Sequence, residues 1–251
     1  MLVAERQQAI LGYLVKNGNV SVTELCKLFN VSEMTIRRDL ADLEKQGLLH
    51  RTYGGAVPTE PAFFEMSLRA KQSIFTEEKK RIGRLCAEMI QNGDVVFLDS
   101  GTTTLEVVRY IKSKSLTLVT NDLNIASEVL DCPNIDLYVT GGTLRRGTNN
   151  LIGIKAISFF DDIRGTKLFL GVEGVDLKAG FTVPDMNEVP LKQKMINSAG
   201  KVIVVADHSK LGRNSMGIIA PLSAANCLVT DRDAPAEIVR AIRDHIQVTL
   251  A

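Results

Sequence analysis

The run Ser32-Glu33-Met34-Thr35-Ile36-Arg37-Arg38-Asp39-Leu40 holds the side chains best suited to gripping a polyanion. Wound as an α-helix, with Ser32 as its cap after the turn Phe29-Asn30-Val31, it puts Ile36, Leu40 and Leu43 on one face. The opposite face carries Met34, Arg38 and Lys45, flanked by Thr35 and Arg37. Two guanidiniums, an ammonium and a hydroxyl on one strip can bond the phosphates or base edges of DNA. Leu48 to Tyr53 reads as a strand turning at Gly54-Gly55 into Ala56-Val57, so His50 and Arg51 lie where a wing would meet the backbone or minor groove. The candidate DNA contacts are therefore Ser32, Met34, Thr35, Arg37, Arg38, Lys45, His50 and Arg51.

A second set follows a series of apolar runs. After Leu98 comes Asp99-Ser100-Gly101-Thr102-Thr103-Thr104, whose glycine, hydroxyls and helix-opening N–H groups suit a phosphate. A plain strand-to-helix turn capped by Ser or Thr accounts for that segment equally well. Asn121, the turn at Gly141-Gly142, Glu173 and Asp176 offer hydrogen bonds to sugar hydroxyls, and Arg145, Lys192 or Lys210 could neutralise a phosphate. Singly, each is an ordinary turn or surface residue; their shared position after strand-like runs is what groups them.

Both sets need scaffolds. In the first 57 residues, Ile10, Leu11, Leu14 and Val15 stripe one helix that ends at Asn17-Gly18. Ser21-x-x-Glu24 is a capping box opening a second helix with Val22, Leu25, Leu28 and Phe29 on its apolar side. With the Ser32 helix and the strand pair, this makes a winged helix-turn-helix over residues 1–57. Pro58 to Glu65 breaks all periodicity and opens a linker assigned to 58–73. A charged stretch with Arg69, Lys71 and Glu77 to Arg84 follows, in which Ile74, Ile82, Leu85, Met89 and Ile90 sketch the entry helix of a second domain, 74–251; its basic residues read as a solvated face. Strand-like runs then recur at 95–98, 116–120, 135–139, 168–170, 202–205 and 227–229, separated by helical patterns. Near-continuous apolar strands alternating with helices predict an α/β domain built on a mostly parallel sheet covered on both faces, with ligands bound beyond the strands' carboxyl ends.

Composition narrows the remaining classes. A chain of 251 residues, 45% apolar, can fill one small and one medium core. Its apolar runs are too short to cross a bilayer and its N-terminus carries Glu5 and Arg6, so the expected location is the cytoplasm, with no membrane partner. Cys26, Cys86, Cys132 and Cys227 form no C-x-x-C pair and fall in apolar-periodic segments, which predicts buried, reduced thiols. His50, His208 and His245 are scattered, so no metal is expected. Neither a P-loop lysine nor G-x-G-x-x-G is present, and no cofactor is expected. Net charge is +1, and Glu33, Asp39, Asp42 and Glu44 offset the basic residues near the recognition helix. Weak phosphate attraction by one copy implies a homo-oligomer, dimer or tetramer, reading repeated half-sites.

The order Arg6, Ile10, Leu14, Ser32-x-x-Thr35-Ile36-Arg37-Arg38-Asp39-Leu40, Gly47-Leu48 and Tyr53-Gly54-Gly55-Ala56 resembles the DNA-binding domain of the DeoR family of bacterial transcriptional regulators. Asp99 to Thr103, Thr120-Asn121, Gly141 to Arg145, Gly171 to Asp176 and Asp207 to Arg213 resemble that family's sugar-phosphate sensor domain. Thr52 to Gly55 and Asp176 to Thr182 are also similar to the family's glucitol-operon repressors. The resemblance implies a sensor fold related to ribose-phosphate isomerases, and a repressor of a carbohydrate or polyol operon. Its partners would be operator DNA and a phosphorylated sugar or polyol.

Two other classes stand beside this one. A sugar-phosphate isomerase needs a carboxylate base, for which Asp99, Glu173, Asp176 and Glu188 are candidates. In the isomerases an acidic base lies on the helix corresponding to Leu191 to Ile196, where this chain places Gln193, which cannot accept a proton; no enzyme is expected. The third class is a sheet domain that serves oligomerisation and binds nothing.

Overall fold

The computed structural model describes residues 2–57 and 68–251, which form two compact units divided after Thr76. In the first unit, α1 (Val3–Asn17) ends at Gly18 in the left-handed conformation, β1 (Val20–Ser21) follows, and α2 (Val22–Phe29) begins at the Ser21/Glu24 capping box. The box is reciprocal: Glu24 N–H donates to Ser21 Oγ at 3.1 Å and Ser21 N–H donates to Glu24 Oε2 at 3.1 Å. Asn30, in the left-handed conformation, closes α2, and α3 (Glu33–Lys45) starts at Ser32, whose hydroxyl accepts Thr35 N–H at 3.3 Å. β2 (His50–Thr52) and β3 (Gly55–Val57) form the wing, and β1 pairs with β3 to make a three-stranded antiparallel sheet in the order β1-β3-β2. The turn falls at Tyr53-Gly54, and Leu48 and Leu49 are core residues outside the strand.

Ile10, Leu14, Leu25, Ile36, Leu40 and Leu43 meet in one buried cluster. Leu28, expected in it, is 54% exposed, because it lies round the helix beyond the face shared by Val22, Leu25 and Phe29. The short helix α4 (Leu68–Ser73) precedes Ile74, which was expected in the second domain's entry helix and packs into this first cluster. Residues 58–67, where the linker was expected to begin, lie outside the described residues.

The second unit alternates helix and strand: α5 (Thr76–Glu88), β4 (Val95–Leu98), α6 (Thr102–Arg109), β5 (Leu116–Thr120), α7 (Leu123–Glu128) and β6 (Ile135–Val139). A hairpin of β7 (Thr143–Arg145) and β8 (Asn150–Ile152) leads to α8 (Ile154–Ser158), β9 (Gly165–Gly171), β10 (Gly174–Asp176), β11 (Gly180–Val183), α9 (Val189–Asn197), β12 (Ala199–Val205), β13 (Gly217–Ala220), β14 (Cys227–Thr230), α10 (Ala236–Arg243) and β15 (Gln247–Leu250). Seven strands pair in parallel in the order β15-β14-β12-β9-β4-β5-β6, and β10, β11 and β13 form an antiparallel ribbon.

Side chains alternate across the central strands. Val96, Leu98, Leu118, Phe169 and Ile203 pack with Ile82, Cys86, Leu105 and Ile125 of α5, α6 and α7. Phe97, Val119, Leu168, Leu170 and Val204 pack on the other face with Ala156, Leu191, Met195 and Ile242 of α8, α9 and α10. Burial on both faces explains the continuous apolar runs. Cys86 and Cys227 are buried as expected, whereas Cys26 and Cys132 are only half-buried; all four are free thiols. Lys79, expected on a solvated face, is buried in α5.

Candidate functional site

α3 presents Met34, Arg37, Arg38 and Lys45 to solvent, with Ser32 exposed at its cap and Thr35 half-buried. The Ser32 and Thr35 hydroxyls lie 2.9 Å apart in a mutual hydrogen bond. Arg37 lies 3.4 Å from Glu33, an exposed pair of little energetic consequence, and Arg38 has no ion pair among the described residues. Asp39 belongs to neither group: it turns inward and accepts both Nε and Nη2 of Arg6, at 2.5 and 3.2 Å. Arg51, expected to suit backbone or minor-groove contact beside the wing turn, donates from its Nε and its backbone N–H to the Glu44 carboxylate, each at 2.9 Å, tying β2 to the last turn of α3 and holding the Glu44 carboxyl below its usual range. His50 is exposed beside it. Tyr53, which sequence reasoning left out of the site, is fully exposed at the wing tip; an aromatic ring beside Gly54-Gly55 in a polar turn was the available signal.

In the second unit the chain runs outward from β4 through β5 to β6 on one side, and from β9 through β12 and β14 to β15 on the other. The direction changes between β4 and β9, and in open α/β sheets the crevice beyond such a point is where ligands bind. Asp99 and Gly171 end these two strands and meet there: Gly171 N–H donates to Asp99 Oδ2 at 3.0 Å. A Cβ on Gly171 would come within 2.8 Å of the Ser100 carbonyl oxygen, so only glycine allows this approach. Next to it Gly101 adopts φ 150°, which L side chains rarely adopt, and turns the chain into α6. Gly101 N–H donates to Asp122 Oδ2 at 3.3 Å, and burial raises the Asp122 carboxyl above its ordinary range. Thr102, Thr103 and Thr104 are buried in the first turn of α6, where N–H groups lack intrahelical partners.

Lys192 of α9 is buried against this point. Its Nζ donates to Asp99 Oδ2 and, at 3.0 Å, to the Gly171 carbonyl, and lies 3.7 Å from Glu188 Oε2. Burial works to lower its pKa, but the Asp99 and Glu188 charges outweigh burial and hold the ammonium above its ordinary value. Glu188 Oε1 accepts Arg145 Nη1 at 2.9 Å and Asn150 Nδ2 at 3.1 Å, and Asn150 Nδ2 also reaches Ser100 Oγ at 3.1 Å. Ser100, Asn150, Glu188, Lys192 and Asp99 thus form a continuous polar circuit around the crevice.

Three expected phosphate-neutralising cations already have carboxylate partners. Lys192 has Asp99, Arg145 lies 2.7 Å from Asp185 as well as bonding Glu188, and Lys210 lies 2.7 Å from Glu173. Asn121 Nδ2 donates to the Leu151 carbonyl at 3.3 Å, and Gly141 and Gly142 turn the chain out of β6 at φ 70° and 113°. Asp176 stands outside the circuit. Its Oδ1 accepts Ala179 N–H at 2.7 Å and Lys178 N–H at 2.9 Å, capping its own hairpin, and those bonds keep its pKa low. Gln193 points to the Ile219 carbonyl at 2.9 Å, so Lys192 is the residue of α9 that faces the crevice. Asp122, Asn150 and Asp185 were not singled out: Asn150 and Asp185 are common turn residues whose partners Glu188 and Arg145 are far away in sequence, and Asp122 reads as the local cap of α7, with only its Gly101 bond reaching 21 positions back. Spatial convergence that spacing hides brings His208, Asp231 and Asp233 together, and there Asp231 accepts His208 Nδ1 and its backbone N–H at 2.9 and 2.7 Å.

The model of the DeoR-like helix-turn-helix domain matches residues 6–62, and that of the DeoR C-terminal sensor domain matches residues 74–232. The chain belongs to the DeoR family. DeoR-type relatives include the glycerol-3-phosphate regulon repressor of Escherichia coli K12, 34% identical over 100% of both chains. The transcriptional regulator GlpR of Haloferax volcanii is 39% identical over 94% of this chain and 93% of its own, and the transcriptional repressor GlcR of Bacillus subtilis 168 is 36% identical over 92% and 90%. Ribose 5-phosphate isomerase A of Methanocaldococcus jannaschii is similar over 54% of each chain at a TM-score of 0.40 and 13% identity. As a DeoR-family member the chain is a DNA-binding transcriptional regulator and not an enzyme.

Proposed function

We propose that the chain represses a carbohydrate or polyol utilisation operon, and that a phosphorylated sugar or polyol at the β4/β9 crevice sets its affinity for operator DNA. Residues 1–57 hold the operator, through Thr35, Arg37 and Arg38 with the wing beside them, and residues 74–251 hold the effector. The observation that carries this reading is the meeting of the start of α6, Thr102 to Thr104, with the buried Asp99/Lys192 circuit between β4 and β9, where the order in which the chain adds parallel strands reverses. The first-turn N–H groups of α6, which lack intrahelical partners, suit the phosphate, and the circuit suits a polar carbon skeleton. The relative named as a glycerol-3-phosphate regulon repressor favours the same ligand class. Two or more copies act together, because one α3 offers few uncompensated cations. Among the described residues no helix is long and apolar enough to cross a membrane, and a cytoplasmic site of action agrees with a DNA ligand.

The test is thermal unfolding of the purified chain against sugar and polyol phosphates, each paired with its unphosphorylated parent. A specific binder at 100 times its Kd adds about 2.7 kcal/mol of stability. Stabilisation by phosphorylated members alone is expected. A flat panel would leave the sheet domain an assembly module and end this reading.

A further inference from the structure

Among the described residues, three buried side-chain polar atoms have no hydrogen-bond partner within the protein: Asp99 Oδ1, Asn121 Oδ1 and Thr230 Oγ1. Two of them are neighbours. Leu98 and Thr120 are paired in register at the ends of β4 and β5, and Asp99 and Asn121 are the next residues on those adjacent strands. By the alternation that puts Phe97 and Val119 on the α9 side of the sheet, both side chains leave the sheet on that side, 0% and 1% exposed. Asn121 spends its NH2 on the Leu151 carbonyl, which fixes the amide with its oxygen turned away from that bond. Asp99 spends Oδ2 on Gly171 and Lys192. What remains is a pair of buried, unpartnered acceptors on the residues that follow two paired strand ends, beside the start of α6.

Buried acceptors left unpaired are costly, and native structures retain few of them. We infer that Asp99 and Asn121 read hydroxyl donors on the effector's carbon skeleton, which restricts the ligand to phosphate esters of polyhydroxy compounds and rejects phosphorylated carboxylic acids. The inference rests on the proposed effector role of this crevice. A hydroxyl donates to either oxygen and relieves the cost, whereas a carboxylate has only acceptors and would set lone pairs against lone pairs. Phosphate position and skeleton chemistry are thus read by separate groups, α6 for one and the β4/β5 ends for the other.

Calorimetric titration of the full chain with glycerol 3-phosphate, glucitol 6-phosphate, their acid counterparts 3-phosphoglycerate and 6-phosphogluconate, and inorganic phosphate tests this without any variant. The expected result is that at least one polyol ester binds at least about tenfold more tightly than its acid counterpart. Asn121→Leu, which removes the acceptor and leaves the Asp99/Lys192 pair intact, should weaken that ester at least about tenfold while changing inorganic phosphate affinity less than about threefold. Polyol and acid binding equally, or Asn121→Leu leaving the ester unaffected, would overturn the inference while leaving a phosphate site in place. Binding of inorganic phosphate alone would do the same. Silence across all five compounds would remove the effector reading and this inference together.

Discussion

Arg6 of α1 and Asp39 of the recognition helix form a buried two-point ion pair, Nε to Oδ2 at 2.5 Å and Nη2 to Oδ1 at 3.2 Å, with side chains only 8% and 3% exposed. It locks α3 against α1 one residue after Arg38. Breaking one side of such a pair strands a buried charge and typically costs about 3–5 kcal/mol, whereas replacing both sides with apolar groups is often neutral. Arg6→Met should therefore abolish slow hydrogen exchange across α1 to α3, and the double change Arg6→Met with Asp39→Leu should restore most of it. Equal loss in single and double variants would show that the pair's geometry, and not the stranded charge, holds the helices.

Operator and effector binding should separate. Arg38→Ala removes an exposed, unpaired guanidinium and should cost about 1–3 kcal/mol on operator DNA recovered by selection with the wild-type protein, while ligand-induced thermal stabilisation stays intact. Thr102→Val with Thr103→Val should do the reverse, giving a protein that holds DNA and no longer responds. Mobility-shift titrations alongside thermal unfolding report both arms.

His208 gives the second unit a pH-dependent stability. Its bond to Asp231 raises its pKa above the unfolded value of about 6.5, against the opposing effect of burial. The stabilisation is complete below the unfolded pKa and is lost as pH rises through the higher folded pKa. Asp231 has the opposite sense: its pKa is lowered by the His208 bonds despite burial, so its contribution is lost as pH falls through the depressed folded value. Urea unfolding should show stability declining above about pH 6.5, and His208→Gln should flatten that decline.

Thiol chemistry should split the cysteines two and two. Cys86 and Cys227 are buried, and burial pushes the Cys86 thiol far up, so both should resist a thiolate-selective reagent in the native protein. Cys26 and Cys132 are half-buried and should react first, and all four should react in denaturant. Timed labelling read by mass spectrometry distinguishes them.

What could be read in advance follows from which forces are local. β4 and β5 end where the apolar runs end, because strands buried on both faces leave an unbroken record of burial, and the edge strand β6 was legible from its β-rich run although most of it is exposed. The Ser21 and Ser32 caps are equally visible, since each bonds within three residues. β7, β8, β10, β11, β13 and β15 were not read: they are three or four residues long, and all but β13 mix polar with apolar side chains. Asp39 looked like a surface acid because its partner is 33 positions away, and Asn150 was invisible because Ser100 and Glu188 lie 50 and 38 positions off. Proximity to strand ends put Asp99 among the candidates, and charge put Lys192 there, but neither signal shows that each occupies the other.

That mutual occupation divides the protein's response to its surroundings. Lys192, Arg145 and Lys210 carry their own counter-ions in Asp99, Glu188, Asp185 and Glu173, so dissolved salt has little charge left to screen at the crevice. Arg38 and Lys45 face water on α3, and the DNA contact proposed for them should weaken as ionic strength rises. When a cell takes up salt, metabolite sensing should hold steady while occupancy of the gene drifts, making osmotic state a second input to transcription that enters through the DNA side alone.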